Sequence, residues 1–141
     1  MEILAVNWIV VIGAAIAKFV IGSFWYMPQL LGKPWQKAAN ITPDASMMPR
    51  AIAVQLIGDL IMAWVLAQFI GHVGATGLVA GAMVGLVAWI GFVATIMLGH
   101  MTFENRPMSL FAINAGYQLV GLIVMGAIIG AFTVAATSLP A

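Results

Sequence analysis

The sequence predicts an all-α fold, an integral membrane four-helix bundle, and three observations carry that prediction. Of 141 residues, 64% are hydrophobic and only 6% charged, where soluble domains carry about a quarter charged residues. Four acidic and five basic side chains cannot cover a water-facing surface. Four apolar segments, about 3–27, 50–71, 75–98 and 108–133, reach the roughly 20 residues that a bilayer crossing requires. They lack period-2 alternation, and a membrane barrel would need at least about eight strands. Helices are therefore the spanning elements, and residues 1–141 read as one transmembrane domain.

Span one opens on Met1-Glu2, not on a basic segment, and its apolar run exceeds a signal-peptide core, so it reads as a retained span. Trp8 near one boundary, and Trp25 with Tyr26 near the other, fit interfacial aromatic belts. The connection 28–49 has room for structure. In "GKPWQKA" (32–38), Pro34 marks a helix start, and Trp35 between Lys33 and Lys37 suits an interfacial anchor. "TPDA" (42–45) gives a second start, with Thr42 as cap, Pro43 at the first helical position and Asp44 in the first turn. Pro49 is then a kink at the beginning of span two. "GHVGATG" (71–77) is a tight reversal into span three, and 99–107 connects spans three and four.

Gly77, Gly81 and Gly85 recur every four residues in span three, as do Gly126 and Gly130 in span four. Small residues at that spacing allow close approach of helix backbones, within one chain or between copies. Lys33, Lys37, Arg50 and Arg106 all fall on the side of the 28–49 and 99–107 connections, and the other side has no Lys or Arg. The positive-inside rule puts those connections in the cytoplasm and both termini outside.

The net charge of +1 and the absence of a basic patch argue against nucleic acid as a partner. The chain contains no cysteine, which excludes disulfides and thiolate chemistry. No nucleophile elbow, phosphate loop, dinucleotide fingerprint or zincin motif occurs. No catalytic residue, cofactor or metal is assigned.

Two polar constellations remain. Lys18 and Asp59 are charges inside spans, each about 13 Å from the cytoplasmic end at 1.5 Å of rise per residue. Spans one and two are sequential and antiparallel. An unpaired charge at that depth costs at least about 2.5–3.5 kcal/mol. Pairing with Asp59 removes that cost; snorkelling of Lys18 or a water-filled cavity are the alternatives. Tyr117 and Gln118 reach the same depth in span four, with Asn114 and Gln55 one turn toward the cytoplasm. Such a layer fixes helix register or receives a small ion or polar ligand. The second constellation is His100, Glu104 and Arg106 at the cytoplasmic end of span three. His100 and Glu104 share a helix face. As metal ligands they are too few, and His72 falls on the opposite side of the membrane. Arg106 clamps Glu104 or meets a lipid phosphate.

"GSFWYMPQLLGKPW" (22–35), "WIGF" (89–92), "GHMTFENRP" (99–107) and "INAGYQLVGLIVMG" (113–126) resemble, in order, the pattern of a widespread family of small bacterial membrane proteins with four spans, a domain-of-unknown-function family. The matching positions are Gly22, Trp25, Tyr26, Pro28, Gly32, Trp35, Trp89, Gly91, His100, Glu104, Arg106, Pro107, Gly116 and Tyr117. The resemblance implies the four-span architecture and a bacterial inner membrane, and it brings no activity with it. Three functional readings follow. The first is a non-enzymatic assembly or interaction unit, homo-oligomeric and most simply a dimer in the lipid bilayer. The second is a minimal transporter or channel for an ion, a proton or a small polar solute. The third is a lipid-headgroup enzyme at the His100 cluster.

Overall fold

A computed structural model describes residues 1–134; the C-terminal end, placed outside with the N-terminus by the charge rule, lies outside the described residues. The described residues form helices and turns without a strand, an all-α four-helix bundle. Four helices are long and apolar enough to cross a membrane. The first is α1, Trp8–Trp25. It starts later than the hydropathy suggests, because the Asn7 side chain accepts the backbone N–H groups of Ile9 and Val10 and caps the helix there. A tight turn over Pro28–Gly32 follows, closed by Gly32 N–H donating to Met27 O at 2.9 Å. A side chain at Gly32 would collide with the Tyr26 and Met27 backbone.

Helix α2, Lys33–Ala39, has Pro34 in its first turn and ends at Asn40, whose φ of 55° supplies the left-handed cap. The following start is shifted from the sequence reading. Asp44, not Thr42, is the cap: its carboxylate accepts the Ser46 N–H and hydroxyl at 2.9 and 2.7 Å over the 3₁₀ turn Ala45–Met47. Thr42 precedes a proline, which holds it extended and two residues too early. Those two Ser46 bonds hold the Asp44 carboxyl below its ordinary value. Helix α3, Met48–His72, then begins with Pro49 in its first turn, where no hydrogen bond is lost.

The third membrane-capable helix is a continuous rod of three parts. Helix α4, Leu78–Ala88, passes through a widened π turn, Trp89–Ala94, into α5, Thr95–Phe103. Helix α6, Met108–Ala131, closes the bundle. It is the central element, packed on α1, α3 and α4. Its contact with α4 is backbone on backbone. A Cβ on Gly81 would strike Gly126 O, one on Gly85 would strike Leu122 O, and one on Gly130 would lie 2.7 Å from Gly81 Cα. Gly77 N–H donates to Gly130 O at 2.8 Å, a bond between helices rather than within one. Beyond Trp89 the rod turns away, and neither the π turn nor α5 holds a buried residue.

Along the bundle axis the interior has three levels. The half nearer the termini is an apolar core that includes Val11, Ala14, Ala63, Leu66, Ile70 and Met125. Below it sit Lys18 and Asp59, both 0% exposed. Toward the connections, Trp25, Tyr26, Trp35 and Tyr117 form an aromatic cluster with centroids 5.2–6.5 Å apart. At the far end, extended residues before α1 are held by Gln68, which donates to Leu4 O and accepts from Leu4 N–H at 3.0 and 2.8 Å.

Because backbone cannot yield as a side chain does, Gly81→Ala and Gly126→Ala are expected to cost about 1–3 kcal/mol or more, as overpacking does. Gly13→Ala and Gly58→Ala meet nothing within 4 Å and should leave the unfolding midpoint in detergent unchanged or slightly raised. Equal losses in all four variants would refute the backbone contact.

Candidate functional site: a charged layer inside the bundle

Lys18 projects from α1 across the face of α6, and the space for its stem comes from Gly121. A Cβ there would lie 2.9 Å from Lys18 Cγ and Cε. One turn along, the arrangement is reversed: Tyr117 of α6 fills the space above Gly22 of α1, where a Cβ would lie 2.7 Å from the Tyr117 hydroxyl. Each helix thus donates one long side chain and one glycine to the other. Gly116 likewise admits the Trp25 ring, 3.2 Å from a Cβ built there. Trp25 then donates its indole N–H to Ile113 O at 3.0 Å, and Trp89 donates to Ala115 O at 2.9 Å. Two tryptophans from either side fix the height of α6.

That height sets the polar contacts. Lys18 Nζ donates to Asp59 Oδ1 at 2.6 Å and to the Tyr117 hydroxyl oxygen at 3.1 Å. The Tyr117 hydroxyl donates in turn to the Lys18 backbone carbonyl at 3.3 Å, and Nζ stands 4.4 Å from the Tyr117 ring centroid. Gln55, one turn from Asp59 on α3, donates Nε2–H to the same Oδ1 at 2.8 Å. The carboxylate is therefore satisfied on one side only: Oδ1 accepts two hydrogen bonds, while the buried Oδ2 has no partner among the described residues.

Asn114 joins the layer indirectly, accepting the Tyr26 hydroxyl at 2.8 Å, while the Tyr26 ring meets the Tyr117 ring edge-on at 5.4 Å. Gln118 does not join through any hydrogen bond among the described residues, where its buried Oε1 has no partner. Phe19, Gly22, Ser23, Tyr26, Gln55 and Tyr117 line a cavity of about 80 Å³ between α1 and α3, reaching the two side chains that touch the pair. Ser23 and Gln55 are exposed, so the cavity opens at the bundle surface on the connection side.

The other residues singled out by sequence lie elsewhere. Trp8 is exposed at the start of α1. Trp25, Tyr26 and Trp35 make contacts within the bundle: Trp25 with Ile113 O, and Tyr26 with the Trp35 ring. His100 and Glu104 lie 3.7 Å apart and Arg106 lies 3.9 Å from Glu104, all of them well exposed. Arg106 also donates to Ala39 O at 3.4 Å, which ties the two connections together. No group of three metal-ligating side chains occurs among the described residues. Sequence reasoning passed over Gln68, an amide in an apolar stretch, and the indole N–H of Trp89. Both carry the same signal, a donor in a span that must find a carbonyl.

Lys18→Met alone should destabilise the protein by about 3–5 kcal/mol by stranding Asp59. Lys18→Met with Asp59→Leu should recover most of that loss, read as unfolding midpoints in detergent. A double variant as unstable as the sum of the single ones would dismiss the coupling.

No curated protein and no solved structure matches the chain. A family model does, over residues 9–130, a stretch that takes in the charged layer and nearly all of α1 and α6. The chain belongs to that family, DUF1761, described as proteins of unknown function.

Proposed function

We propose that the protein moves a small cation, the proton included, across the membrane by way of the Lys18–Asp59 layer, with the bundle as a minimal transport unit. The observation that carries the reading is Asp59 Oδ2, a buried carboxylate oxygen at mid-bundle without a partner among the described residues. Two well-packed apolar side chains would hold α1 and α3 together at no desolvation cost, and ionisable groups inside spans mark ion pathways. The surroundings support it. The cavity beside Gln55 and Tyr117 opens toward the connections, while Val11, Ala14, Leu66 and Met125 seal the terminus side. A site open to one side and closed to the other is what alternating access requires. On sequence alone the assembly reading stands first; the half-satisfied carboxylate and its cavity reverse the order. The bacterial inner membrane and the cytoplasmic placement of the connections belong to this reading.

The test is flux in proteoliposomes holding indicators for H⁺, Na⁺ and K⁺. Wild type should exceed empty vesicles, and Asp59→Asn, assayed below its lowered unfolding midpoint, should return to their level. Wild-type flux equal to that of empty vesicles would reject transport.

A second reading, self-association as an assembly unit with the dimer as its simplest form, is favoured by a different feature. An apolar groove of about 420 Å³ lies between α3 and the third rod, lined by Gly58, Ile61, Val65, Phe69, Phe92 and Leu122 among others. Gly58→Leu should then shift the subunit count seen by single-molecule photobleaching in lipid discs, and a count of one in both forms rules this reading out. The exposed, loosely spaced His100, Glu104 and Arg106 give no comparable support to headgroup chemistry.

A further inference from the structure

We propose that the ion this layer binds is the proton, taken up at Asp59 Oδ2 from the connection side, and that its uptake weakens the clasp between α1 and α3. The inference rests on the cation-handling reading and specifies its ion.

The donor set decides against a metal cation. Lys18 Nζ already sits 2.6 Å from Asp59 Oδ1, and a second cation on the same carboxylate would face it across a few ångströms of low dielectric. The divalent cations Ca²⁺ and Mg²⁺ also take six or more oxygen ligands. Here the Tyr117 hydroxyl and Oδ1 are already engaged with Lys18. A proton needs only one lone pair, and Oδ2 offers it.

The route is equally economical. A cavity of about 80 Å³ between Ser23, Tyr26, Gln55 and Tyr117 has room for water, whose share of liquid volume is about 30 Å³. Gln55, which lines that cavity, donates to Asp59 Oδ1 at 2.8 Å, so a single side chain separates cavity water from the carboxylate. In the step itself a hydronium in the cavity gives up its proton and remains as water. An O–H bond forms at Asp59 Oδ2, the carboxylate becomes a neutral carboxyl, and the positive charge left in the layer is that of Lys18. The groups facing Asp59 are Lys18 from α1 and, through Lys18, Tyr117 from α6; Tyr26 stacks behind Tyr117, and Gln55 on its own helix is uncharged. With its counter-charge gone, the ammonium keeps the Tyr117 hydroxyl and ring, the latter 4.4 Å away, and a hydrogen bond to the now neutral Oδ1. The link between α1 and α3 at this level falls from an ion pair to an ion–dipole hydrogen bond, roughly half as strong or less.

Infrared difference spectra of the protein in lipid, taken across a pH series, read the carboxyl directly. Wild type should show a protonated-carboxyl band in acid that Asp59→Asn lacks, while Glu2, Asp44 and Glu104 contribute equally to both. Should the Asn variant not fold, Asp59→Glu assigns the band by its shift. Lys18→Met should raise the midpoint of that band by at least about one pH unit, a tenfold change in proton affinity, because the stabilising charge is removed. Identical spectra for wild type and the Asp59 variants overturn the inference. If Na⁺ or K⁺ flux is found while Asp59 stays ionised throughout, the proton is the wrong ion and transport stands. If Asp59 titrates and no flux is seen, the proton site stands and transport falls.

Discussion

A bilayer interior does not solvate charge, and this protein places one ammonium and one carboxylate there. Everything around Lys18 and Asp59 follows from that constraint. The pair must meet at 2.6 Å, so α1 and α3 must reach the same height. The rest of the ammonium's hydrogen-bonding capacity must be met locally, and Tyr117 meets part of it from α6. Tyr117 reaches in only because Gly22 has no side chain, and Lys18 reaches across only because Gly121 has none. The tryptophan-to-carbonyl bonds from Trp25 and Trp89 hold α6 at the height those contacts demand. A displacement of α6 by one turn, about 5.4 Å, would break the whole set.

Much of this was legible in the sequence, and the legible part has a common physical basis. Residue counting along a helix gives axial height at 1.5 Å per residue. Height alone brings Lys18, Asp59 and Tyr117 to one level. Counting gives azimuth less securely, because it depends on which neighbour each face meets. Tyr117 and Gln118 share a height but point about 100° apart on a helix of 3.6 residues per turn, and only Tyr117 hydrogen-bonds into the layer. The glycine spacing was visible in the same way, while the reciprocal pairing of Gly22 with Tyr117 and Gly121 with Lys18 needs both helices at once.

Other features were hidden because they arise from competition between local signals. Thr42 and Asp44 both suit a helix cap, and the choice of Asp44 is settled by the proline between them and by Ser46. Asn7 caps α1 although hydropathy alone would start the helix at Ile3. The π turn at Trp89–Ala94 has no composition that announces it; it accompanies the divergence of the third rod from α6.

The interlocking of α1 and α6 has an evolutionary consequence. At two places one position's volume is occupied by another position's side chain, so the members of each couple are not free to vary separately. A larger residue at 121 is admissible only where 18 becomes shorter, and a larger residue at 22 only where 117 loses its ring. Related chains should therefore exchange these residues as couples, 18 with 121 and 22 with 117. Lineages that give up the lysine should also be those in which the glycine opposite it is released.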